Sequence, residues 1–193
     1  MELNINTFEQ LKEACISRNK QIYEIAQENM AMESDMAVEL VRTFAAKSLY
    51  AMKEAIQSGM ASKELSMSGM CGQDCFKVQK RYKSERAMFG SVFEKIIEYA
   101  LATSEENIRM GKIVACPTAG SCGILPAALV AVSEEFNHSE REQLNALITA
   151  GEIGRIISIK VALAGAVAGS QAQCGVASSM RAAADWQMIG GNV

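Results

Sequence analysis

The chain contains very little histidine, proline and aromatic residue: 193 residues include one His, two Pro and one Trp, and aromatic side chains make up 6%. A single imidazole, His138, excludes a His-rich metal site and disfavours a Ser-His-Asp triad or a Cys-His dyad. His138 stands in a polar stretch, and we expect an exposed loop imidazole. No Pro-rich or Ser-rich linker and no internal repeat divides the chain, so we expect one domain over residues 1–193.

The chain also lacks a strong charge of either sign, because its formal net charge is -3 and no basic cluster occurs. This balance argues against a nucleic acid or an anionic membrane as partner. The apolar run from Val161 to Gly169 is too short and too rich in glycine to cross a bilayer. The N-terminus lacks the basic-then-apolar order of a signal peptide. We therefore expect a cytoplasmic protein.

Cysteine spacings of the zinc-knuckle type are absent. Cys71 and Cys75 are four residues apart, and Cys116 and Cys122 are six apart, whereas a knuckle has two residues between its cysteines. In a cytoplasmic chain of this size, cysteines are reduced thiols or metal ligands rather than disulfides. The six cysteines are Cys15, Cys71, Cys75, Cys116, Cys122 and Cys174.

The hydrophobic pattern is helical throughout, with no sustained alternation of the kind that marks strands. Apolar residues recur at spacings of three and four over 34–58, which predicts a helix that Gly59 ends. The same spacing recurs over 85–101, beginning with Met88, and predicts a second helix. The pattern predicts an all-α protein whose central helices are the Gly- and Ala-rich, buried ones after residue 150, wrapped by amphipathic helices. Capping boxes predict helix starts at Thr7 with Gln10, at Thr103 with Glu106 and at Ser139 with Glu142.

The segment 115–129, ACPTAGSCGILPAAL, is typical of a ligand-binding loop that leads into a helix. Pro117 restricts the residue before it, and Gly120 and Gly123 permit backbone conformations closed to other residues. The helix start that follows presents unpaired amides and the positive end of the helix dipole, which attract a carboxylate or a phosphate. Hydroxyls of Thr118 and Ser121 add donors. An ordinary loop-to-helix junction with buried cysteines is the alternative.

Two further clusters carry polar groups. Residues 66–77, SMSGMCGQDCFK, offer hydroxyl, carboxylate and amine groups of Ser68, Asp74 and Lys77 that can orient a polar ligand, or else form a connection between helices. Residues 165–175, GAVAGSQAQCG, interrupt an apolar run with polar side chains, which need partners or a ligand when buried. The alternative for this second cluster is a buried turn satisfied by backbone.

Three of these segments resemble, in order, motifs of the α chain, or catalytic domain, of the iron-sulfur L-serine dehydratases. CPTAGSCGILP at 116–126 resembles that family's PTAGSCGI-P loop, residues 69–77 resemble its SGGDAYK loop, and GSQAQCG at 169–175 resembles its GCQAECG turn. The likeness extends from about residue 37 to Val193. It implies an all-α unit that deaminates L-serine to pyruvate and ammonia, within amino-acid catabolism and gluconeogenesis.

The resemblance further implies a [4Fe-4S] cluster as Lewis acid, because hydroxide is a poor leaving group that metal coordination stabilises. It implies substrate binding by Pro117, Thr118, Gly120, Ser121 and Gly123, and by Ser68, Asp74 and Lys77. It also implies a separate β chain as partner, or a homo-oligomer, since no region resembles the family's small regulatory domain.

The chain departs from the family where the cluster is held. Ser170 stands at the position of the first cluster cysteine and Gln173 at that of a glutamate, and the family's other two cysteines lie beyond the segment matched by Gly190 and Gly191. The chain as it stands is therefore not expected to bind the cluster, and whether it is an enzyme stays open. One hypothesis lets Cys116, Cys122 and Cys174 hold a cluster instead. Three interpretations stay open: a fragment or degenerate copy of the family, a cluster-free binding or scaffold subunit, and a lyase for cysteine or another β-substituted amino acid.

Overall fold

The computed structural model describes residues 4–84 and 89–191 and confirms the all-α prediction for that part of the chain. A single isolated bridge, between Leu65 and Gly72, is the only strand-like pairing among the described residues. The helices are α1 Phe8–Arg18, α2 Ile22–Glu33, α3 Val38–Ala61, α4 Asp74–Ser84, α5 Ser91–Ile108, α6 Ile124–Phe136, α7 Glu140–Lys160 and α8 Gly165–Met188, with a short 3₁₀ turn at Ala119–Ser121 before α6.

Helix α6 is the centre of the molecule. All of its residues from Leu125 to Ser133 are buried, and it packs against α3, α5, α7 and α8. Leu125 and Leu129 belong to the main core cluster together with Leu49 of α3 and Met180 of α8. The stretch Ala119–Phe136 is long and apolar enough to cross a membrane by length and composition, but 67% of it is buried inside the fold. Burial in the protein core accounts for its apolar composition.

The Gly- and Ala-rich segment after residue 160 is not the buried centre that its composition predicts. Val167 is 76% exposed, and most residues from 161 to 175 face outward, whereas α8 becomes buried only from Val176 onward. The chain bends at Gly169, whose φ of 73° is closed to most L-residues. The prediction holds for the second half of α7, where Gly154 and Ile156 are buried, and fails for residues 161–175. Composition reports small apolar side chains and does not report which neighbours cover them.

Two predicted helix boundaries were wrong, and close packing explains both. Gly59 is not a stop: it lies inside α3, where its Cα faces the backbone of Ala102 in α5. Thr103 does not begin a helix: it is 1% exposed inside α5, and its hydroxyl donates to the carbonyl of Tyr99 at 2.9 Å. Helix α5 itself begins at Ser91, and the predicted start over residues 85–88 lies outside the described residues.

The other two capping boxes are confirmed. The side chain of Thr7 accepts from the amide of Gln10, and that of Ser139 accepts from the amide of Glu142, with both reciprocal bonds present. These motifs succeed because every group they use lies within one turn of the chain.

A buried ion pair docks the N-terminal helices on α7. Glu152 is fully buried and pairs with Arg155 at 2.8 Å, and Arg155 also pairs with Glu33 at the end of α2, at 3.2 Å. The guanidinium of Arg155 further donates to the carbonyl of Ile5. Since removal of one partner would leave a buried charge uncompensated, this network fixes α1 and α2 against the core.

Candidate functional site

The predicted ligand loop forms a compact turn at the N-terminus of α6. The peptide bond between Cys116 and Pro117 is cis, the 3₁₀ turn Ala119–Ser121 follows, and α6 begins at Ile124. Pro126 lies in the first turn of α6, where a missing amide costs no helix hydrogen bond. The loop therefore delivers the chain directly to the positive end of the central helix.

The hydroxyl of Ser121 holds the loop together. Ser121 is 3% exposed, and its Oγ donates to the carbonyl of Cys116 at 2.9 Å. The Oγ1 of Thr118 lies 3.2 Å from the same Oγ. Ser121 has one hydroxyl hydrogen, which it donates to an acceptor inside the loop, so this residue has a structural role. Thr118, which is only partly buried, is the loop hydroxyl better placed to meet a ligand.

Helix α5 anchors the loop from one side. The side-chain amide of Asn107 donates to the carbonyl of Ala119 at 3.2 Å. A Cβ on Gly123 would lie 2.7 Å from the carbonyl oxygen of Ala100 and 2.9 Å from the Oγ of Ser104, so glycine permits this close approach. The sequence predicted that Gly123 is needed for a backbone conformation closed to other residues. Its φ of -81° is open to any residue, so glycine is required there for close packing instead.

Segment 169–175 meets the loop from the other side. The side-chain Oε1 of Gln173 lies 2.6 Å from the position that a Cβ on Gly120 would occupy. The Nε2 of Gln173 donates to the carbonyl of Leu163, in the connection between α7 and α8, at 3.1 Å. Two motifs that are distant in the sequence are thus in contact, and Gln173 makes the contact.

The third motif forms a hairpin-like turn followed by α4. The amide of Ser66 donates to the carbonyl of Cys71 at 2.8 Å, and the Oγ atoms of Ser66 and Ser68 lie 3.1 Å apart. Lys77 pairs with Asp74 at 2.8 Å, and both side chains are more than half exposed. The hydrogen bond to the Asp74 carboxylate is the main cause that raises the pKa of Lys77. Among the described residues, the side-chain bonds of Ser68, Asp74 and Lys77 stay within this segment.

Glu105 fixes the start of α4. Its Oε1 accepts from the backbone amides of Asp74 and Cys75, at 2.5 Å and 3.0 Å. Glu105 is 4% exposed, and its Oε2 lies 3.7 Å from Nη1 of Arg109. A buried carboxylate on two helix-start amides complements the positive end of α4. Since Asn107 holds the 3₁₀ turn, the last turns of α5 support both candidate loops. Sequence analysis missed Glu105 and Asn107, which carry no local motif.

The thiols of the loop are buried. Cys116 and Cys122 are 3% and 2% exposed, and the Sγ of Cys116 donates to the carbonyl of Val114 at 3.5 Å. Burial raises the pKa of Cys116 to about 12 and also raises that of Cys122. Cys174 is exposed, as is Ser170, which follows the bend of α8. All six cysteines are free.

These donors do not fit an iron-sulfur cluster. A cluster requires thiolates that converge on one point, whereas Cys116 is a core thiol and Cys174 faces solvent. The loop offers hydrogen-bond donors for an anion, and its thiols offer packing.

His138 is not the exposed loop imidazole that the sequence predicted. Its side chain is 14% exposed, its Nδ1 lies 3.8 Å from the carboxylate of Glu142, and its ring faces Phe136. Its backbone carbonyl accepts from Ser133 and Gln143. The ring is covered because the turn between α6 and α7 folds back on itself.

An apolar cavity of about 390 Å³ lies behind the loop. Its lining includes the chain at Cys116 and side chains of Met30, Met52 and Met180, with Phe44 of α3 at 51% exposure. No charged side chain lines it. Sequence analysis did not predict this cavity, although the abundance of methionine indicated adaptable packing. An apolar lining offers no partner for either charge of a zwitterion.

The sequence of residues 17–193 matches the family model of the serine dehydratase alpha chain. The chain belongs to the serine dehydratase alpha chain family. It is 33% identical over 189 residues to the L-serine dehydratase, alpha chain, of Peptoniphilus asaccharolyticus, covering 98% of this chain and 65% of that protein. It is 34% identical over 183 residues to the probable L-serine dehydratase, alpha chain, of Bacillus subtilis, covering 89% and 61%.

A third relative, the L-serine dehydratase of Helicobacter pylori strain 26695, is 31% identical over 189 residues, which cover 93% of this chain and 40% of that protein. The chain thus spans less than two thirds of the length of these curated relatives. The resemblance inferred from the three motifs is confirmed at the level of the family.

Proposed function

We propose that this chain supplies the substrate-carboxylate loop of an L-serine dehydratase, which deaminates L-serine to pyruvate and ammonia. Family membership supports the reaction class. The observation that carries the assignment to this loop is the contact between Gln173 and Gly120, because it joins the two motifs that a shared substrate site requires.

The chemistry of the loop suits a carboxylate. The first amides of α6 have no acceptor inside their own helix, and the helix dipole adds positive potential at the same place. The Thr118 hydroxyl lies at the edge of the turn and can donate to a carboxylate oxygen, while Ser121 keeps the turn in shape. These groups bind and orient the substrate, and no acid-base step is assigned to them.

Elimination of water from serine needs a group that stabilises the departing oxygen, and the resemblance implies a [4Fe-4S] cluster for that purpose. The thiols of this chain do not fit a cluster, so we derive no step through one. The relatives are named as alpha chains, and we propose that turnover requires a second chain. A cytoplasmic location and a role in amino-acid catabolism remain part of this proposal.

Calorimetric titration with L-serine and D-serine tests the binding role. We expect the chain to bind L-serine in preference to D-serine, and Thr118→Val to weaken binding about tenfold or more, since a hydrogen bond to a charged group contributes about 1.5–3 kcal/mol. Ser139→Ala, at the N-cap of α7 and beyond the far end of α6, serves as the control and should leave the affinity unchanged. Absence of L-serine binding by the wild-type chain would refute the proposal.

A cluster-free amino-acid-binding subunit is the second candidate, and Ser170, which stands where the family has its first cluster cysteine, favours it. Anaerobic reconstitution with iron and sulfide, followed by assays for pyruvate from L-serine and from L-cysteine, separates the candidates. Binding without pyruvate supports the subunit, while pyruvate from L-cysteine alone supports a different lyase.

A further inference from the structure

The side chain of Gln173 lies between two segments that are distant in the sequence, the loop at Gly120 and the chain at 163–165. Its Nε2 donates to the carbonyl of Leu163 at 3.1 Å, in the connection between α7 and α8. Its Oε1 faces Gly120 in the loop, and its Nε2 lies 3.1 Å from the position of a Cβ on Gly165. Two glycines therefore flank one carboxamide, and a Cβ on Gly120 would require the carboxamide to shift.

We propose that Gln173 is the positioning residue of the loop 116–123: its carboxamide, anchored on Leu163, sets how far the loop stands from α8 and so shapes the carboxylate-binding turn. The inference rests on the proposed function for the statement that this turn binds the substrate carboxylate. It goes beyond that function because it assigns the shape of the turn to a side chain that does not touch substrate.

The chemistry of the side chain is specific. The bond to Leu163 needs a donor, which the amide nitrogen supplies and a carboxylate lacks. The contact with Gly120 needs a side chain of the length of glutamine. Methionine has nearly the same length and no donor, so Gln173→Met removes the anchor while it keeps the bulk. Gln173→Glu keeps the shape and sets a carboxylate oxygen against the carbonyl of Leu163, which is repulsive.

Hydrogen exchange of the peptide covering 116–123, measured on the full chain without ligand, tests the anchor. We expect Gln173→Met and Gln173→Glu to speed exchange of this peptide about tenfold or more, with exchange in the core of α6 unchanged. Gln171→Met is the matched control, because Gln171 is exposed on the same helix. Wild-type exchange in both Gln173 variants would overturn the proposal.

A double-mutant cycle on L-serine affinity provides a readout that general destabilisation would not produce. Gly120→Ala places a methyl group against Oε1 of Gln173 and should weaken binding in the wild-type background. Gln173→Asn withdraws that oxygen by one methylene, so Gly120→Ala should cost at least threefold less affinity in the Asn background. Strictly additive effects would overturn the proposal. If the wild-type chain binds no L-serine, the proposed function fails, while the exchange experiment still decides the role of Gln173.

Discussion

Gly59→Ala has two opposite effects on the free energy of unfolding: a gain in helix propensity and a steric clash with α5. The structure indicates that the clash is the larger of the two. Gly59 lies inside α3, where alanine would normally stabilise the helix by about 1 kcal/mol. A Cβ there would lie 2.8 Å from the Cα of Ala102 and closer still to its carbonyl carbon and oxygen. Carbon atoms pack at about 3.5–4.0 Å. Because the obstacle is backbone, α3 and α5 must move apart.

The magnitude follows from these terms. Overpacking of a core costs about 1–3 kcal/mol, and a contact with backbone belongs at the upper end because no side chain can rotate away. Subtracting the helix gain leaves a destabilisation of about 2 kcal/mol. With a urea m-value of about 2 kcal/mol/M, the midpoint of unfolding should fall by about 1 M. The last turns of α5 support both candidate loops, so exchange in those loops should also increase.

Urea unfolding followed by circular dichroism measures this effect, and Gly175→Ala is the matched control. Gly175 lies in α8, is exposed, and has no atom within 4 Å of its Cβ position. Helix propensity is the only effect expected there, and the free energy of unfolding of the variant should rise by up to about 1 kcal/mol. A Gly59→Ala protein with the wild-type midpoint, or a higher one at unchanged m, would refute the close approach of α3 and α5.

Two further predictions concern thiols and the support of α4. At pH 8 a thiol reagent should modify only the exposed Cys71 and Cys174 in the native protein, because the other four thiols are buried and burial raises the pKa of Cys116 to about 12. Rapid modification of three or more thiols in the folded state would contradict this. Glu105→Gln should lower the free energy of unfolding by about 1–3 kcal/mol and speed exchange at the start of α4, because it removes the charged acceptor of two amides and the partner of Arg109; unchanged exchange there would contradict the capping role.

Local motifs were predictable from the sequence where every participant lies within one turn. The capping boxes at Thr7 and Ser139 formed as predicted. The same spacing at Thr103 did not begin a helix, because burial of the Thr103 face against its neighbours extends α5 through it. A capping motif states that a helix can begin at a residue, and tertiary packing decides whether it does.

The candidate site divides in the same way. Pro117, Gly120 and Gly123 identified the loop, although neither glycine has a positive φ and both lie in close contact with neighbouring segments. The hydrogen bonds that decide its chemistry were not predictable: Ser121 turns inward to the loop, and Gln173 approaches from another helix.

The sequence by itself determined that this protein is helical and which family it belongs to, since periodicity and motif spacing are properties of neighbours along the chain. Only the tertiary structure decided that α6, rather than the Gly- and Ala-rich start of α8, is the buried helix. An apolar pattern shows that a face can be buried, and the partner that covers it is fixed only when distant segments pack together.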